Sequence, residues 1–112
     1  MPLNPIIVKE IAGLVVVAGV PQIIWTPAAG SKFRLCGYHV GVSAAASVLF
    51  KEGAGNTSIG IRSALLAIGI PDVAPDIGDG DGVLSAAADN ALKIDVTANA
   101  TVHGWVWGFE ES

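Results

Sequence analysis

The chain has 112 residues, of which 52% are hydrophobic and only 14% charged, with a formal net charge of −4. A chain of this size makes one domain that buries roughly two-thirds of its unfolded surface, and so few charges leave neutral surface that favours an oligomer or a docked state. The six basic residues are scattered along the sequence, which excludes the basic stripe that nucleic-acid binding requires.

Residues 1–5 carry Pro2 and Pro5 and are expected to form an extended arm. Residues 6–11 and 14–20 read as strands separated by Gly13, with Lys9 and Glu10 as a polar interruption and Pro21 ending the second run. The apolar run over 11–20 is too short to cross a bilayer, which takes about 20 residues, and its flanks do not suit a signal peptide. Its β-branched composition predicts a strand, in a chain made in the cytoplasm. Residues 22–26 (QIIWT) form a short strand closed by Pro27, and 27–31 turn. Residues 32–42 make a long strand. Strict alternation puts Phe33, Leu35, Gly37 and His39 on one face and Arg34, Cys36, Tyr38 and Val40 on the other. Residues 46–51 read as its partner strand. Cys36 is the only cysteine, which excludes an intramolecular disulfide and a cysteine zinc cage; in mid-strand it reads as a buried, inert thiol.

Residues 52–57 are a glycine-rich loop. Over 58–67, Ile59 and Ile61 alternate as in a strand, while 62–68 also fits a turn of helix. Residues 69–82 hold two prolines, four aspartates and four glycines in one stretch and are expected to be irregular. The end of the chain reads as a hairpin. In 91–97, Leu92, Ile94 and Val96 share one face and Lys93, Asp95 and Thr97 the other, the pattern of a half-buried strand. In 101–110 both faces are apolar: Val102, Gly104, Val106 and Gly108 on one, His103, Trp105, Trp107 and Phe109 on the other. A core covers one of these faces, and in so small a chain another subunit is a ready cover for the second. About eight short strands punctuated by glycine and proline, without a convincing amphipathic helix, predict a single all-β domain over 1–112, a sandwich or a barrel.

Chemistry-bearing patterns are few. Asp76, Asp79 and Asp81, interleaved with glycine, are a candidate calcium loop or an acidic surface turn. The EF-hand register fails, because Gly82 at the loop glycine puts Ile77 at the first ligand position and Ala88 at the twelfth. His39 and His103 lie mid-strand with no third ligand at a metal-binding spacing, so hydrogen-bonded strand histidines are expected. Ser58, in NTSIG, lacks the first glycine of a nucleophile elbow, and no phosphate loop, zincin motif or dinucleotide fingerprint is present. The reading is of a non-enzyme with no cofactor. The stripe Trp105, Trp107 and Phe109 can fill the core, anchor an interface or stack a sugar. Ile6, Ile7 and Val8 are too apolar to stand in water, and the arm over 1–5 or the strand over 6–11 is expected to reach beyond its own sandwich as an added strand on a neighbouring chain or shell.

The segments WTPAAGSKFRL (25–35), SAAASVLFKEG (43–53) and DGVLSAAADNAL (81–92), followed by Val102, Gly104 and Val106 at alternate positions, resemble small bacteriophage virion proteins of the head decoration or cement type. The resemblance covers about residues 25–110 and leaves 1–24 poorly matched. It implies an antiparallel β-sandwich of jelly-roll type, a homotrimer, the major capsid protein as partner, and a place in the virion. The alternative from a different class is a tail-associated carbohydrate- or receptor-binding sandwich that uses the tryptophan stripe.

Overall fold

A computed structural model describes residues 5–63, 65–75, 77 and 82–112. Nine strands follow in chain order: β1 (Ile7–Val16), β2 (Gln22–Trp25), β3 (Lys32–Val42), β4 (Val48–Glu52), β5 (Thr57–Arg62), β6 (Asp72–Ala74), β7 (Val83–Leu84), β8 (Leu92–Val96) and β9 (Ala100–Glu111). The described residues contain no helix. Two antiparallel sheets face each other, one in the order β1-β9-β3-β6 with β7 also paired to β3, the other β2-β8-β4-β5. The pairs nest: first strand with last, β2 with β8, β3 with β6, β4 with β5. That is the winding of a jelly roll, whose two sheets share one core.

The nesting corrects two sequence expectations. β8 and β9 are not a hairpin but lie in opposite sheets, and so do β3 and β4. Residues 7–11 are paired within their own sandwich along one side, and β1 is the outer strand of its sheet. β1 runs through Gly13 as one strand, antiparallel to the chain's own β9 from Ile7↔Gly108 to Val16↔Ala100, and its register shifts between Ile11 and Leu14. A bulge there absorbs the positive φ of Gly13 without ending the strand. The stretch 69–82 is not wholly irregular, since it contains β6. The helical alternative for 62–68 gives way to a bridge between Ala46 and Leu66.

The core is built from alternate residues of both sheets. Phe33, Leu35, Val40, Val102 and Val106 of the large sheet meet Trp25, Val48, Phe50, Leu92, Ile94 and Val96 of the small one, all of them almost wholly buried. Two tilted aromatic pairs bridge the layers, Trp25–Phe33 at 5.8 Å and Tyr38–Phe50 at 5.0 Å between ring centroids. Tyr38 reaches the core because β3 carries a bulge: its register against β9 shifts between Leu35 and Gly37. One extra residue exchanges the faces beyond it. Tyr38 and Val40 therefore join Phe33 and Leu35 inside, and His39 turns outward, opposite to strict alternation.

Candidate functional site

The two outer faces of the sandwich differ in chemistry. On the small sheet, Lys51 donates to buried Asp95 at 2.7 Å and Lys93 donates to Asn56 at 2.9 Å. Asp95 also accepts N–H bonds from Gly19 (2.9 Å) and Val96 (2.8 Å), so the β1–β2 turn folds over a carboxylate only 2% exposed. Burial pushes this carboxyl up, but the Lys51 ammonium and the two N–H groups more than offset burial and hold it below the usual range. This face is charged and locally satisfied.

The outer face of the large sheet carries the aromatic stripe. The sequence left Trp105, Trp107 and Phe109 between core and interface; they lie on the face turned away from the core, whose β9 contribution is Val102 and Val106. Trp107 lies across Gly37 of β3, where a Cβ would come within 2.2 Å of the indole. The ring thus covers strand backbone that has no side chain of its own. Trp105 stands higher and is 43% exposed. It stacks on His39, its register partner on β3, with centroids 4.3 Å apart and planes 13° from parallel. Phe109 is half-buried opposite Arg34, whose guanidinium pairs with Glu111. Val8 lies opposite Trp107 on β1, and Glu10 opposite Trp105.

Two open recesses flank Trp105. One, of about 320 Å³, is lined by His39, Gly41, Gly69, Pro71, His103 and Trp105, among others. The other, of about 530 Å³, is lined by Glu10, Ala12, Gly13, His103 and Trp105, among others. Since His39 lies against one face of the indole, the opposite face bounds the second recess. Gly41 makes the first recess possible, because it points outward and no atom lies within 4 Å of where its Cβ would be.

Of the residues singled out by sequence, Trp105, Trp107, Phe109 and Val8 come together on this face. Ile7 turns inward and packs against the core, and Ile6 is exposed just ahead of β1. Asp76, Asp79 and Asp81 lie outside the described residues, as do residues 1–4 of the expected arm. Among the described residues no group of three His, Cys, Asp or Glu side chains is placed to hold a metal. Cys36 is half-buried; burial pushes its thiol up, with Arg34 opposing and Glu111 adding to the rise, the direction opposite to that of an activated thiolate. Sequence reasoning missed His39 as the support of Trp105 and Gly41 as the floor beside it. The signal that hides both is the β3 bulge.

The fold and this face define a jelly-roll sandwich with one charged and one aromatic exterior. Comparisons with protein-family models, with curated proteins and with solved structures find no match.

Proposed function

We propose that this protein is a non-enzymatic structural component of a bacteriophage virion, a homo-oligomer that attaches to the surface of the major capsid protein and stabilises the shell. The observation that carries the reading is the asymmetry of the sandwich. An exterior bearing Trp105, Trp107, Phe109, Val8 and Val73 calls for a protein cover, whereas the opposite exterior sets the hydrogen-bonded Lys51 and Lys93 beside the exposed Ile23. Adhesion of this kind needs no reacting group and no cofactor, and repeated weak contacts over a shell multiply in effect. The sequence resemblance over residues 25–110 supplies the virion context and the trimer number. The test is mass spectrometry of purified particles together with binding of the purified protein to shells that lack it. Particles without this chain, or shells that fail to bind it, end the reading.

A second reading is supported by the free indole face of Trp105 beside Glu10 and His103, a platform with polar groups at its margin that suits a sugar ring. On this reading the protein is a tail-associated carbohydrate- or receptor-binding module. A glycan array distinguishes the two: hits abolished by Trp105→Ala favour the second reading, and an empty array removes it.

A further inference from the structure

Three properties of the outer face of the large sheet bear on what covers it. The first is area. Val8, Val15, Val73, Leu84 and Trp105 on the sheet, with Ile68 and Ile70 at its rim, are each between 37% and 69% exposed. Seven large apolar side chains about half bare come to several hundred Å², at or above the largest apolar patch of an ordinary monomer. A standard stable contact takes about 800 Å² from each partner.

The second is charge. Two copies of a chain with net charge −4 repel unless they meet on neutral ground. On this face Glu111 is paired with Arg34, and Glu10 at the β1 edge is the one carboxylate of the second recess. A partner of opposite charge would be met by a field of one sign, which this face does not offer. A like-charged partner that is itself neutral at the contact fits it.

The third is shape. Trp105 projects directly beside the recess floored by Gly41. A cavity of about 150 Å³ already takes a benzene ring, so a recess of about 320 Å³ admits an indole. A knob and a matching hollow side by side on one surface are the requirement for self-complementary association.

We infer that copies of this chain meet through the outer face of the large sheet, with Trp105 of each copy entering the Gly41-floored recess of its neighbour. This rests on the adhesive reading of the face and names its occupant. Because the knob adjoins the hollow on one face, the contact is self-complementary and closes as a two-fold pair.

The test is light scattering of the full-length protein across the micromolar range. The wild type is expected at an integral multiple of the chain mass. Trp105→Ala, which removes the knob, and Gly41→Glu, which fills and charges the hollow from a position with open space, are each expected at the monomer mass with an unchanged circular dichroism spectrum. Ile23→Ser, on the opposite exterior, is expected to keep the wild-type mass. A wild type that is monomeric throughout, or an oligomer that survives both substitutions, overturns the inference. Recovery of the chain from purified particles is scored separately, so the virion role and the self-association surface fail independently.

Discussion

Asp95, Gly104 of β9 and Gly41 of β3 show how single residues govern this sandwich. Asp95 is a buried carboxylate held by an ammonium and two N–H groups. Asp95→Ala strands Lys51 and the Gly19 N–H, and should cost about 3 kcal/mol in chemical denaturation. Its depressed pKa also sets a sign. The stabilisation is fully present above the unfolded carboxyl value of about 3.9 and is lost as pH falls through the lower folded value. Glu110 acts in the same direction: the Trp25 indole N–H bond lowers its pKa, burial opposes, and the Ala28 N–H and the Lys9 charge lower it further. Melting temperature should therefore hold level above about pH 4 and fall below it, with Asp95→Asn removing part of that fall. At Gly104 an added Cβ would stand 1.8 Å from the His39 carbonyl oxygen, at a φ of 133°. Gly104→Ala should cost at least about 3 kcal/mol, whereas Gly41→Ala, with open space and ordinary backbone, should be neutral or stabilising by about 0.5–1 kcal/mol. Equal melting temperatures for the two alanine variants would contradict the close approach of β9 to β3.

At the scale of elements, β1 separates what the sequence expresses from what it does not. Its β-branched run announces a strand, as do QIIWT, the long stretch 32–42 and the alternation Leu92, Ile94, Val96; those four segments became β1, β2, β3 and β8. Pairing was not legible, because period-2 alternation says which face is apolar and nothing about which neighbour supplies the hydrogen bonds. Hence residues 6–11 looked detachable and β8–β9 looked like a hairpin. The aromatic site was half legible: Trp105, Trp107 and Phe109 share a face as alternation requires. Their support by His39 and Gly37 depends on a one-residue bulge that leaves no mark in composition. The structure now predicts that deleting residues 1–11 removes half of β1, together with the core side chains Ile7 and Ile11, and costs about 3–5 kcal/mol. A truncated protein without residues 1–11 that melts like the full chain would mean that β1 is dispensable to the core.

The whole molecule is organised by long-range pairing. β9 lies between β1 and β3 at the centre of the large sheet, so strands from the two ends of the chain must meet before that sheet exists. Refolding should take milliseconds to seconds, and a chain ending at residue 99 should show no cooperative transition in a thermal scan. The first and last strands are also in register from Ile7↔Gly108, which brings the start of β1 and the end of β9 out at one corner of the sandwich. That placement has a consequence during synthesis. A ribosome adding about 5–20 residues per second delivers the middle strand of the large sheet after both of its neighbours, so until β9 emerges the nascent chain presents β1 and β3 as two unclosed edges. Folding of the large sheet therefore waits on the arrival of β9, and a stop before that strand yields a sticky fragment and not a smaller domain.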